Sequence, residues 1–371
     1  MSNTSHIISF FLGANSAGGF VSLYDTWVDQ KNIQAFYTIK GGAGCGKSTL
    51  MKTVAQELQK DGYAVEYILC SGDPDSLDGI RIPQKAVALV DGTAPHRMDP
   101  AYPGATGHYV DLGAGYDRKA LLKQRKDIIQ ATTAYQACYP PAYACLRMAQ
   151  AKRMAAWAAL RTDGAHEKVE KRAKSLLSPV RKKLRTRAGQ RHRRFLGSPT
   201  CQGNTFLSQT SLALCSDGYV LRGETGLAPL LLERLESGFL AAGYDVVSCP
   251  DPIQPKLLSH LLIPELSLAF VTGAMPSEAG YRTIHTESLA EKTVWQEARA
   301  SLREALLQAD AEQERAISYL AKAKSCHDAL EALYRPHVVF HDADQKTGEV
   351  LTEILALPDH PEQALASDFF L

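Results

Sequence analysis

Gly41-Gly42-Ala43-Gly44-Cys45-Gly46-Lys47-Ser48, followed by Thr49, fits the spacing GxxxxGK[ST]. The chemistry asks for these residue types because backbone without a Cβ turns its N–H groups inward onto phosphate oxygens. Lys47 is then expected to bridge β- and γ-phosphates and the Ser48 hydroxyl to ligate Mg²⁺. The Thr49 amide is expected near the α-phosphate, at a helix N-terminus whose dipole favours negative charge. An apolar, β-rich run, Ala35–Ile39, precedes the loop and an amphipathic stretch, Leu50–Leu58, follows it. That is the strand, loop and helix setting the chemistry requires.

A bound Mg²⁺ also needs a carboxylate beside the loop. Ala86-Val87-Ala88-Leu89-Val90-Asp91 reads as a buried strand ending in an acid, which makes Asp91 the metal and catalytic candidate. The other reading of Asp91 is a strand-end cap on a turn with Gly92. Because Gly92 follows, no acidic pair ends the strand, and fast hydrolysis is not implied. In CSGDPDSLDG, Asp73, Asp75 and Asp78 fall near the C-terminal edge of the expected sheet, where ligands of open α/β folds sit. Asp73 is the candidate base toward a hydroxyl, although a turn rich in Asp, Pro, Gly and Ser is the favoured reading of that stretch. His96, in the loop after Asp91, is a weaker candidate for sensing phosphate. Cys45 lies next to Lys47 and a helix start, two features that lower a thiol pKa, so either a reactive thiol shielded by ATP or an inert filler is expected. No [NT]KxD signature follows an apolar strand, so ATP is the default nucleotide.

The elements that hold this loop recur. FYTIKGGAGCGKSTLMKTVAQELQKDGYAVEYILC, from Phe36, is matched by YVLRGETGLAPLLLERLESGFLAAGYDVVSC, from Tyr219. Ser76–Gly92 is matched by Leu257–Gly273, with Ile82-Pro83 and Ile263-Pro264 in register, and FLGANSAGGFVS from Phe11 by FLGSPTCQGNTFLS from Phe195. Repeats of this kind set the whole fold. The expectation is α/β: two tandem domains, residues 1–187 and 188–371, each with a mostly parallel sheet, flanking helices and an appended helical hairpin. The hairpins are placed at Asp117–Lys152, broken at Pro140-Pro141, and at Glu287–Leu333. Ala142–Lys152 and Ala316–Cys326 look like one turn of one helix.

With 371 residues, 45% of them hydrophobic and 22% charged, and a formal net charge of +1, the chain reads as a globular protein whose net charge names no partner. No run approaches a membrane span and no leader precedes Asn15, so a cytoplasmic protein without membrane contact is expected. Eight scattered cysteines without zinc spacing read as free thiols. The basic stretch 168–194, with Arg185, Arg187, Arg191 and Arg194, could hold nucleic-acid phosphates. It lacks aromatic stacking residues, and a solvated helix face and linker is the favoured reading.

GGAGCGKST, CSGDPDSLDG, DGTAPHRMDPAYPG and the second, similar half together resemble an uncharacterised bacterial family of two-domain P-loop ATPases. The resemblance spans nearly the whole chain and implies a P-loop fold in both halves, with little about substrate. This chain departs from the family in GETGLAPLL (Gly223–Leu231), where Ala228-Pro229-Leu230 stands for Gly-Lys-Ser, and in Thr272, which stands for Asp91. The second half is therefore expected to be a pseudo-site. Three functions follow as expectations. The first is an ATP-dependent switch or slow ATPase; the alternatives are a phosphotransferase acting on a small acceptor and a nucleotide-sensing module that contacts nucleic acid or protein.

Overall fold

The structure is a computed structural model and describes residues 7–95, 98–181 and 185–360. His96, Lys182 and Lys183 lie outside the described residues.

In the first half come β1 (Ile8–Phe10), a hairpin of β2 (Gly13–Ser16) and β3 (Gly19–Ser22), β4 (Ala35–Lys40), α1 (Lys47–Lys60), β5 (Glu66–Leu69), β6 (Leu77–Ile82), β7 (Val87–Asp91) and β8 (Gly107–Asp111). Helices α2 (Arg118–Lys123), α3 (Arg125–Gln136), α4 (Tyr139–Ala158) and α5 (Asp163–Arg181) follow. The second half repeats the order with β9 (Arg191–Arg193), β10 (Gly197–Thr200), β11 (Gly203–Phe206), α6 (Ser208–Leu214), β12 (Asp217–Arg222), α7 (Ala228–Ala241), β13 (Val246–Pro250), β14 (Leu258–Ile263), β15 (Leu268–Val271) and β16 (Arg282–His285). It ends in α8 (Lys292–Tyr334) and α9 (Phe340–Ala356).

The two sheets have one topology. Strand order β1-β5-β6-β7-β4-β8 in the first is reproduced as β9-β13-β14-β15-β12-β16 in the second. Each is mixed but mostly parallel, with β6 and β14 the antiparallel members. The chain is thus α/β with two sheet-containing halves and flanking helices.

Period-two alternation assigns the two faces of each sheet. Phe36, Ala88 and Val90 of the first sheet and Val220, Val247, Leu262 and Val271 of the second meet in one shared core, so the sheets face each other. The alternate residues point outward. Tyr37, Ile39, Val87 and Leu89 pack under α1, whose Leu50, Met51, Val54, Ala55 and Leu58 form its apolar stripe. Leu221, Leu261 and Phe270 pack under α7. Phe11 and Phe195, matched positions of the repeat, exchange backbone N–H···O bonds of 2.9 and 2.8 Å, which places a pseudo-twofold axis between them.

The helices after each sheet cross over. α5, which follows the first sheet in sequence, lays Ala165, Val169, Ala173 and Leu177 into the second half's core beside α7. α9, at the end of the second half, lays Val350 and Ile354 into the first half's core beside α1. A hairpin beside each core is not what forms. Lys292–Tyr334 contains neither Gly nor Pro and runs as one helix of 43 residues, about 65 Å long. Only the first copy breaks, between α3 and α4, where Pro140 and Pro141 occupy the first turn of α4 and need no amide partner. α3 and α4 then pack on α8, so the halves share one helical arm in place of two hairpins. Among the described residues no helix is long and apolar enough to cross a membrane.

Candidate functional site

β4 ends in the glycine loop and α1 begins at Lys47, with Gly46 at its N-cap in the left-handed region, φ 93°. Gly41 is required for a second reason: a Cβ there would lie 2.4 Å from Cys45 Sγ. Among the described residues, the N–H groups of Ala43 to Gly46 donate to no backbone carbonyl. The loop therefore presents a set of unpaired donors at a helix start, the electrostatic requirement for an anion site.

Lys47 is mostly enclosed. Its Nζ donates to the carbonyls of Gly41 and Gly42, each at 2.9 Å, and lies 3.7 Å from Asp91 Oδ2; both side chains are 13% exposed. Parallel pairing of β4 with β7, Ile39 against Asp91, sets this approach. Asp91 Oδ1 meanwhile accepts from Thr93 N and Thr93 Oγ1 at 2.8 and 2.6 Å, so the carboxylate both caps its turn and faces the lysine. Ser48 Oγ accepts from Leu77 N at 2.9 Å, which leaves its second lone pair for a metal. Thr49 is exposed in the first turn of α1. Oxygen donors at Ser48 and Asp91 suit Mg²⁺, a hard cation that keeps several waters and shares phosphate oxygens.

Cys45 corrects the reactive-thiol expectation. Its side chain is buried, and burial pushes the thiol up from its usual range, outweighing the opposing charge of Lys47. Asp73 lines the same cleft, but its carboxylate accepts from Asp75 N and Ser76 Oγ in its own turn and lies 3.5 Å from Lys324 of α8. Asp75 accepts from Gln202 of the second half, and buried Asp78 accepts from Tyr24 Oη.

The cleft, of about 620 Å³, runs from the glycine loop past Asp73 to Tyr135 and is closed by α8, which brings Lys324, His327 and Glu331 from the second half, and by Arg335 in the turn that follows it. A Cβ on Gly44 would sit 3.5 Å from the Glu331 carbonyl oxygen, so helix backbone lies directly on the loop. His327 also packs on Tyr135, ring centroids 5.1 Å apart. The sequence reading missed these α8 residues; the signal was the matched helix turns of the repeat, which give no direction of packing by themselves.

The second half's glycine loop is built differently. Trp157, from α4 of the first half, donates from Nε1 to the Glu224 carbonyl at 2.9 Å, and Arg161 donates to the Gly226 carbonyl at 3.2 Å. A Cβ on Gly226 would lie 2.4 Å from Trp157 Cγ. The indole thus rests on the loop. Pro229 takes the first turn of α7, and the Thr272 amide donates to buried His260 Nδ1. The adjoining cleft, about 990 Å³, contains Glu224, Asp251, Asp310 and Glu314 against Arg153 and Arg222, a charge balance unlike that of a phosphate site.

Arginines of the basic stretch pair with acids of the folded chain. Arg187 forks onto Asp245 at 2.7 and 2.8 Å and reaches Glu265, Arg191 pairs with Glu236, and Arg194 is buried against Glu66. α5 turns its apolar stripe inward, leaving its lysines at the surface.

The family described as nephrocystin 3, N-terminal, matches residues 21–81, the segment that carries β4, the glycine loop, α1, β5 and most of β6. No curated protein and no solved structure matches the chain.

Proposed function

We propose that the chain binds Mg-ATP at Gly41–Thr49 and works as a slow ATPase or nucleotide-dependent switch, with a pseudo-site in the second half. The observation that carries this reading is the convergence of the Ala43–Gly46 donors with Lys47 and Asp91, 3.7 Å apart, at the end of two paired parallel strands. Loop amides and Lys47 would hold the phosphates, and Ser48 and Asp91 the metal. When bound, Mg²⁺ neutralises phosphate charge. Lys47 has only to leave two loop carbonyls to reach an incoming phosphate, a local rearrangement that needs no opening of the core. In the second half, Pro229, Leu230 and Thr272 offer neither a cation nor a metal carboxylate, and Trp157 covers the loop.

The switch reading is preferred to a phosphotransferase because the Asp73 carboxylate is held by its turn and by Lys324. Calorimetry of the full chain with ATP and ADP, with and without Mg²⁺, tests the proposal alongside phosphate release. Saturable Mg-ATP binding at one site per chain is expected; no binding of any nucleoside triphosphate would overturn it. A small hydroxyl acceptor that accelerates ADP release would move the reading to a phosphotransferase.

A further inference from the structure

We infer that Arg335, carried by the second half, contacts the phosphates of the nucleotide held by the first half's loop. The inference rests on the nucleotide-site reading above. Its basis is the pseudo-symmetry of the helical arm. The offset that aligns Ala142–Lys152 with Ala316–Cys326 also aligns Trp157 with Glu331, and these two residues do face matched glycines, Gly226 and Gly44. The same offset aligns Arg161 with Arg335. In the degenerate half Arg161 reaches the loop itself, donating to the carbonyl of Gly226. An arginine at this place, just past the end of the arm helix, therefore has the reach to touch the middle of the opposing glycine loop.

At the first loop the arginine is differently engaged. Arg335 lines the cleft and is exposed. The three lysines of the cleft are occupied: Lys47 by Gly41 and Gly42 carbonyls, Lys52 by the Asp75 carbonyl, and Lys324 by Asp73 and Asp328. Among the described residues the Arg335 guanidinium has no hydrogen-bond or ion-pair partner. Its backbone is nonetheless fixed against the first half. Asp117 N donates to the His337 carbonyl at 2.9 Å, and Val339 N to the Gly115 carbonyl at 2.8 Å, two and four residues on. A planar fork of donors on a held backbone, beside a loop of unpaired N–H groups, suits the oxygens of a polyphosphate. Where the repeat has lost its lysine, the matching arginine has turned onto a carbonyl.

The consequence is a site shared between halves: phosphate contact by Arg335 ties the end of α8 to nucleotide occupancy. The test is calorimetric titration of Mg-ATP and of AMP into the full chain, as wild type, Lys47→Ala, Arg335→Ala, Arg335→Gln and Arg161→Ala, with melting curves of each. The Arg335 variants should melt with wild type and lose about ten- to a hundredfold in Mg-ATP affinity, the scale of one charge-assisted contact. Their AMP affinity should change by less than about threefold, since AMP lacks the β- and γ-phosphates. Arg161→Ala should bind Mg-ATP as wild type does. If Lys47→Ala loses Mg-ATP while both Arg335 variants bind within about twofold of wild type, the Arg335 inference falls and the site reading stands. If Mg-ATP affinity is unchanged in Lys47→Ala, the site reading falls and this inference with it. Equal losses for Mg-ATP and AMP in the Arg335 variants would mark a structural role and also overturn the inference.

Discussion

Arg194 Nε lies 2.6 Å from Glu66 Oε1, an ion pair 1% and 0% exposed that joins β5 of the first half to the residue just after β9 of the second. The second carboxylate oxygen accepts from Trp27 Nε1 at 3.2 Å. Charges this deep hold only while both are present. Arg194→Met should therefore destabilise the chain, by up to about 3–5 kcal/mol, because it removes the paired guanidinium and leaves buried Glu66 with the Trp27 indole N–H and the charge of Arg81, its register partner on β6. Arg194→Met with Glu66→Gln should recover only part of the loss, since Arg81 then loses its carboxylate. Denaturant melts of the two variants check this; an unchanged midpoint for Arg194→Met would contradict the role assigned to the pair.

Lys47→Ala should cost about 1.5–3 kcal/mol of Mg-ATP affinity, a charge-assisted contact, without unfolding the chain. Its own loop bonds are replaceable by water at a side chain that still touches solvent. The wild-type titration should give one site per chain; two equivalent sites would show that the second half, whose glycine loop carries Trp157, binds nucleotide after all.

Cys45 should alkylate slowly. Its thiol is buried and held above its usual range, so the thiolate is scarce at neutral pH. Peptide-resolved iodoacetamide labelling is expected to modify Cys45 later than half-buried Cys326. Faster labelling of Cys45 would restore the reactive-thiol expectation.

Ile354→Ala should destabilise the first half, although Ile354 comes from the far end of the chain. It is fully buried in the core that backs α1. Loss of its side chain should cost about 2–5 kcal/mol, with Mg-ATP affinity falling only as the folded fraction falls. A chain ending at Arg187 lacks α9 altogether and leaves α5 without α7. It should aggregate, as light scattering would report, whereas a soluble, ATP-binding fragment would show that the crossed helices are dispensable.

Acid should destabilise the fold before its carboxylates titrate. Burial holds the His260 imidazole down to about 3, and burial with the neighbouring Arg194 charge holds His192 down to about 4, against an ordinary 6.5. An unfolded chain takes up these protons as pH falls through 6.5; the folded chain does not until much lower. Stability is thus unaffected above 6.5 and declines below it, by about 1.4 kcal/mol per pH unit per histidine once the unfolded form is protonated. Melts from pH 7 to 5 should show the slope, and His260→Gln should reduce it. A flat profile in both proteins would exclude the histidines as its source.

Much of this molecule is local, and what is local can be read from the chain. The Gly41–Ser48 spacing needs only its own φ angles and the strand and helix on either side, so loop and flanking elements are legible before folding is considered. The repeat carried the likeness of the two sheets, because equal patterns of apolar alternation build equal sheets, while the order of their strands came from the fold. Val87–Asp91 had to be a buried strand ending in an acid wherever it lay. Side-chain burial was less accessible: Lys47 and Cys45 are enclosed by neighbours from distant segments, and Cys45's pKa followed burial and not its sequence neighbours.

Only the tertiary structure decided what covers what. The apolar stripes of α5 and α9 specify that each must be buried, yet nothing in their periodicity says that each packs on the other half's sheet. The long helix α8 is legible as a helix, but its landing on Gly44, and hence the place of Arg335 beside the glycine loop, depends on the pseudo-twofold axis at Phe11 and Phe195. Ion pairs follow the same rule: the sequence shows Arg187, Arg191 and Arg194 as a basic run, and folding turns them onto Asp245, Glu236 and Glu66. Contacts within a turn are fixed by spacing along the chain, whereas contacts between halves depend on how two finished surfaces fit, which the local pattern does not encode.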